Sequence, residues 1–188
     1  MRYYQKLKGE RIYLSPINVE DTPKYSEWIN DMAVTVKIGR PWLSLSIQQE
    51  KEALEGMIKE GNHFAIILKD EDKLIGNCSL FMIDQLHSKA ELGIMIGDKD
   101  YWNNGYGTEV IQLLLNYGFN ILNLHNVLLR VFSFNERAIK CYIKCGFKEF
   151  GRRRESYVLG KKKYDEVYMD ILSTEFGGDI KRLFPEGL

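Results

Sequence analysis

The sequence predicts one mixed α/β domain spanning residues 1–188, built on a mostly antiparallel sheet. Three observations carry that prediction. The apolar run His63 to Leu68 is followed by two further strand-like stretches, Leu74 to Ile83 and His87 to Ile96, joined by turn residues as in an antiparallel meander. An amphipathic segment from about Gly105 to Leu122 then separates the last of these from Asn126 to Phe132, so a helical crossover makes that strand parallel to its predecessor. Finally, the chain has no internal repeat and no dividing linker, and 188 residues suffice to bury one core.

Taken in order, Arg11 to Leu14 reads as a first strand that ends at Ser15-Pro16, since proline removes a donor and biases its predecessor toward extended geometry. Asp21 or Thr22 caps a first helix with Pro23 in its first turn, and Tyr25, Trp28 and Ile29 form its apolar stripe. A loop with Gly39, Pro41 and Trp42 precedes a second helix, opened by Ser44 or Ser46 and running to about Lys59. Asp70 to Asp72 is turn chemistry, and Asp84-Gln85 marks the next turn. In the crossover helix, Val110, Ile111, Leu114, Leu115 and Leu122 recur at the helical period. Asn135 caps a short helix to Cys145; Gly146 supplies a left-handed C′ position, and Phe147 the apolar contact that follows such a cap. Phe147 to Leu159 and Tyr164 to Leu172 form a closing hairpin around Gly160 to Lys163, and the tail from Ser173 to Leu188 has room for one short helix with no assigned role.

Composition narrows the function. Lys+Arg and Asp+Glu balance at 26 each, so no global field draws the chain to nucleic acid or an anionic membrane. Cys78, Cys141 and Cys145 are an odd set without a disulfide framework, which suits a reducing compartment. The N-terminus lacks a signal-peptide apolar core, and no apolar run approaches the roughly 20 residues of a membrane span, so the expected location is the cytoplasm. Arg152 to Arg154 lie in a predicted strand and alternate between faces, while Lys161 to Lys163 form a hairpin tip; neither makes a nucleic-acid platform. Cys141 and Cys145 have no nearby His or acidic partners for a metal, nor an adjacent His to activate a nucleophile.

The chemistry concentrates where the Glu91 to Ile96 strand enters the loop Trp102-Asn103-Asn104-Gly105-Tyr106-Gly107-Thr108 and a helix begins at once. Glycines allow positive φ and close ligand approach, and a helix start presents unpaired N–H groups at the positive end of its dipole. The pair makes an anion cradle, unless the glycines merely permit tight packing. A dinucleotide fold fails on spacing, because Val110 stands at the third glycine position; a Walker loop fails because no Gly-Lys-Ser/Thr follows.

The series Trp102 to Glu109, Asn135-Glu136-Arg137-Ala138 and Tyr142-Ile143-Lys144-Cys145-Gly146-Phe147, with Gly9 to Leu14 and Tyr164-Asp165-Glu166-Val167, resembles the GNAT superfamily of acyl-CoA-dependent N-acetyltransferases. Within it, the chain is similar to the branch of ribosomal-protein N-terminal acetyltransferases and spermidine acetyltransferase. The resemblance implies a GNAT-like fold with a splayed parallel strand pair and helices on both faces. It also implies acetyl transfer from acetyl-CoA to a primary amine; the unactivated cysteines predict direct attack in a ternary complex, with no acyl-cysteine. The superfamily's phosphate loop usually begins with Gln or Arg; Trp102 stands there, which leaves the pyrophosphate to backbone N–H groups of Asn103 to Thr108.

By the same resemblance, backbone groups of Ile94, Met95 and Ile96 pair with pantetheine amides, where the residues alone read as a normally paired core strand. Asn135 touches the cofactor arm as well as capping its helix. Tyr142, otherwise a core aromatic, becomes the general acid that protonates the departing thiolate. Glu91 is a carboxylate in an apolar strand, on the face of Gly93 and Met95; it is either the general base or a structural partner for an arginine such as Arg130. Expected partners are acetyl-CoA and an amine acceptor (polyamine, aminoglycoside or protein N-terminus), with no metal, a homodimer left open, and a non-catalytic acyl-CoA-binding or regulatory module as the alternative.

Overall fold

The chain opens with β1 (Leu7–Lys8) and β2 (Ile12–Pro16) in a computed structural model that describes residues 3–178. Pro16 extends the strand beyond its predicted end at little cost. Lys6 N–H donates to Leu14 O, so the nitrogen two residues on faces the same side, where β1 no longer runs and no ladder bond is lost. Next come α1 (Thr22–Ile29), α2 (Met32–Thr35), which falls inside the predicted loop, and α3 (Ile47–Glu60). Ser46 caps α3 through a reciprocal box with Gln49.

The meander is β3 (His63–Leu68), β4 (Lys73–Asp84) and β5 (Lys89–Ile96), all antiparallel. The crossover helix α4 (Tyr106–Asn120) leads to β6 (Asn126–Phe132), and α5 (Glu136–Lys144) leads to β7 (Lys148–Leu159) and β8 (Lys162–Leu172). The sheet order is β1-β2-β3-β4-β5-β6-β8-β7, so the last strand inserts between β6 and β7. Only β5 and β6 are parallel. The tail contributes a 3-10 turn at Ser173–Glu175, and the rest of it, from 179, lies outside the described residues.

Strand alternation divides the core in two. One face of the sheet sends Ile12, Leu14, Ile66, Ile75, Leu80, Leu92, Val127 and Leu129 against Val110, Ile111, Leu114 and Leu115 of α4. The other sends Tyr13, Ala65 and Ile67 against Tyr25, Trp28 and Leu54 of α1 and α3, with Met95 and Trp102 packed beside them. The predicted mixed fold with helices on both faces is what forms. Among the described residues no helix is long and apolar enough to cross a membrane.

The end of α5 is a Schellman cap. Phe147 N–H donates to Tyr142 O at 3.1 Å and Gly146 N–H to Ile143 O at 3.0 Å, with Gly146 at φ +100°. The Phe147 ring meets Tyr142 edge-on at 6.1 Å, so the cap also fixes the tyrosine. A Cβ at Gly146 would lie 3.0 Å from Ile171 Cδ1 in a left-handed backbone. Gly146→Ala is therefore expected to cost about 1–2 kcal/mol, read as a Tm lower by several degrees in thermal unfolding. An unchanged Tm would show that the αL cap is not needed.

Candidate active site

The parallel pair is short. β5 and β6 register only at Lys89↔Asn126, Ala90↔Val127 and Glu91↔Leu128, after which the strands diverge while β5 stays paired with β4 as far as Ile96. Gly97 N–H donates to Ile75 O, so by alternation Met95 and Gly93 turn their backbone groups toward β4. Leu92, Ile94 and Ile96 turn theirs into the opening. Of the three residues expected to pair with pantetheine, Met95 thus faces the wrong way. Ile96 is partly occupied, because the Trp102 indole Nε1 donates to its carbonyl at 2.7 Å. Ile94 is left as the central open residue, and an extended ligand with amide groups can add there as a strand does.

Below the opening lies the loop. Asp98 caps a 3-10 turn (Lys99–Tyr101), then Asn103 at φ +65° and Gly105 at φ +82° bend the chain so that α4 starts at Tyr106 with Gly105 as its N-cap. Tyr106, Gly107 and Thr108 are the first helical residues, whose N–H groups have no intrahelical acceptor. The loop is fastened beside β2 by Glu109 and Arg11, which the sequence offered only as parts of motifs and not as a pair. Glu109 accepts from the backbone N–H of Arg11 (2.8 Å) and Ile12 (3.3 Å) and pairs with Arg11 Nε at 3.1 Å. Arg11 also donates to Asn104 O and lies over the Tyr106 ring at 4.5 Å. Glu109 was the available signal, since a carboxylate in the first turn of an anion-binding helix needs a cation of its own. Arg137 likewise stacks over Trp102 at 4.6 Å. The tryptophan at the usual Gln/Arg position therefore holds both the strand end and a cation.

On α5, Asn135 caps as expected, its Oδ1 accepting from Ala138 N–H at 3.4 Å, but its Nδ2 donates to Lys37 O. That bond ties α5 to the segment after α2, where the backbone of Gly39 presses on the Phe132 ring so closely that a Cβ would lie 2.0 Å from it. The Asn135 side chain is thus engaged at both ends within the protein. Tyr142 packs on the core, and among the described residues no hydrogen bond takes its hydroxyl. Burial pushes the phenol above its ordinary value, with the Cys141 and Cys145 thiols adding to the shift, so it stays protonated at neutral pH.

Glu91 stands at the last paired position of the fork. Its Oε1 accepts from Arg130 Nε at 2.7 Å, the arginine partnership weighed from sequence, and Arg130 Nη1 reaches Glu166 at 3.6 Å. The Glu91 carboxylate raises the guanidinium further above its ordinary value, burial working against it. Tyr168 donates to Glu166 at 3.0 Å. These groups share the sheet face with Phe132 and Met95, which is the side roofed by α1 to α3. Glu91, Arg130 and Glu166 thus form an acidic, hydrogen-bonded floor on that face of the sheet, while the unpaired N–H groups lie at the start of α4.

Unpaired N–H groups at the α4 start and an open strand edge at Ile94 fit a ligand with a pyrophosphate followed by an extended amide chain, as in CoA. The comparisons agree. Residues 11–148 match the acetyltransferase (GNAT) domain family. An uncharacterised N-acetyltransferase of Bacillus licheniformis, p20, is 31% identical over 179 residues, 93% of this chain and 99% of the relative. The spermidine N(1)-acetyltransferase of Vibrio cholerae is 30% identical over 132 residues, 70% of this chain and 76% of that one. A crystal structure of spermidine N-acetyltransferase from Vibrio cholerae with CoA and spermine superposes with a TM-score of 0.78 at 26% identity, covering 88% and 97% of the two chains. The chain belongs to the GNAT family and is an acetyl-CoA-dependent N-acetyltransferase.

Proposed function

We propose that the acceptor is a small cationic amine of the polyamine class, acetylated by direct attack in a ternary complex within one domain. The observation that carries this is the acidic floor: Glu91 and Glu166 face the roofed side of the fork, and one arginine lies between them. An ammonium entering there meets carboxylates, and a second ammonium finds a favourable field. The similarity to spermidine acetyltransferases supports the same class.

Acetyl-CoA supplies the thioester. The N–H groups of Asn103 to Thr108 hold its pyrophosphate, and Ile94 with the Ile96 N–H orients its amide arm. Asn135 serves the arm indirectly, by fixing α5 against the roof. Glu91 takes the ammonium proton through water at Oε2, since Oε1 is held by Arg130. The Tyr142 hydroxyl gives its proton to the thiolate as it leaves.

Three substitutions and one pH profile test these roles. Tyr142→Phe should lower kcat by about 10²-fold or more, with the Kd for CoA little changed; full activity removes Tyr142 as the acid. Because the phenol is raised, the alkaline fall in kcat that it controls should begin above pH ~10. Glu91→Gln, measured against spermidine, spermine, an aminoglycoside and N-terminal peptides, should lose about 10²-fold in kcat/KM with a modest fall in Tm. A Tm loss without a kinetic one would mark the residue as structural only. Trp102→Phe removes one half-buried hydrogen bond of about 1 kcal/mol, and the CoA affinity read by calorimetry should weaken about fivefold. If the wild type binds CoA but turns over none of the amines, a binding or regulatory module is the better reading.

A further inference from the structure

Two thiols that the transfer does not use lie against the cradle. Cys141 and Cys145 are one turn apart on α5, and both touch the first turn of α4. The Cys141 Sγ is 3.4 Å from Thr108 Oγ1, and the Cys145 Sγ is 3.9 Å from Thr108 O. A Cβ on Gly107 would lie 3.8 Å from Cys141 Sγ, so no side chain separates the sulfur from the loop backbone. Cys141 is partly exposed, whereas Cys145 and Cys78 are buried. Arg137 and Lys144, on the same helix, supply positive charge beside it. The neighbouring Cys145 side chain, against the opposing effect of burial, then the Thr108 hydroxyl and those cations, hold the Cys141 thiol below its ordinary value; Cys145 is raised in return.

We propose that Cys141 is a thiol–disulfide exchange site for anionic low-molecular-weight disulfides, and that the group it acquires closes the pyrophosphate cradle. The inference rests on the reading that the cradle holds CoA. The chemistry is balanced without another oxidant. The Cys141 thiolate attacks one sulfur of the disulfide, the old S–S bond breaks, a Cys141 mixed disulfide forms, and the second sulfur leaves as a thiolate that takes up a proton from water. A free thiol reverses each step. Arg137, exposed over Trp102, draws the anionic reagent to the site. Cys145 is buried with its thiol directed at Thr108 O, so it is not the attacking group. Occupancy of Cys141 would put a bulky anion over the N–H groups of Gly107 and Thr108, so the modified protein and CoA compete for one place.

The test uses glutathione disulfide on the intact protein, with peptide mass mapping and CoA calorimetry. One glutathionyl group is expected on Cys141 and none on Cys78 or Cys145. CoA binding should weaken at least about tenfold, recover with dithiothreitol, and protect Cys141 when added first. Cys141→Ser should gain no adduct at that position and show no change in CoA binding on disulfide treatment, relative to its own untreated sample. Modification at the other cysteines instead of Cys141 overturns the site. Unchanged CoA binding by protein fully modified at Cys141 overturns the gate alone. Failure of the unmodified protein to bind CoA overturns the cradle reading and the gate with it.

Discussion

The early end of the β5–β6 pairing is the constraint on which the rest of the structure depends. Two parallel strands that stay together would satisfy each other's N–H and C=O groups along their length. Here they part after Glu91 and Leu128, and β5 keeps one edge open as far as Ile96. An open edge in the middle of a sheet is costly unless something covers it or pairs with it. The chain covers one end itself, through the Trp102 indole on Ile96 O. The remainder, at Leu92 and Ile94, has no strand partner on that edge among the described residues.

Keeping the fork open takes ties on both sides. At its apex, Arg130 joins Glu91 of β5 to Glu166 of β8, so strands on either side of β6 share one cation. At the far end, Gly39 seats against Phe132 and Asn135 holds Lys37 O, which brings the roof from α2 down onto β6. Below, the Arg11–Glu109 pair fastens the α4 start to β2. The Arg130 side chain is 43% exposed, so the ion pair is worth less as stabilisation than as geometry: it fixes where the Glu91 carboxylate points.

What the sequence disclosed follows the range of the interactions. Elements set by local signals were legible: the helix opened at Ser46, one of the two serines offered, the glycine loop, and the Asn135 to Gly146 helix with its cap all formed where the residues pointed. The short α2 was not, because Met32 to Thr35 has no periodic stripe and is held by the Asp31 cap and the Lys99–Asp31 pair. Nor was the insertion of β8 between β6 and β7, a choice made by long-range packing. Of the pantetheine-facing residues, the strand was legible but the facing was not. Alternation shows which residues share a face; only the bond from Gly97 to Ile75 shows which share an edge.

The same division separates the two halves of the chemistry. Tyr142 is positioned by a few consecutive residues, since the Gly146 turn brings Phe147 back onto its ring and the phenol needs no distant partner to stay protonated. The Glu91, Arg130 and Glu166 group is positioned by three different strands, so a change in any of them moves these side chains while leaving Tyr142 in place. A domain built this way can retain its cofactor chemistry as its acceptor changes. That is why motif residues identify the reaction here, and why the amine must be argued from Glu91, Arg130 and Glu166, whose arrangement no short motif encodes.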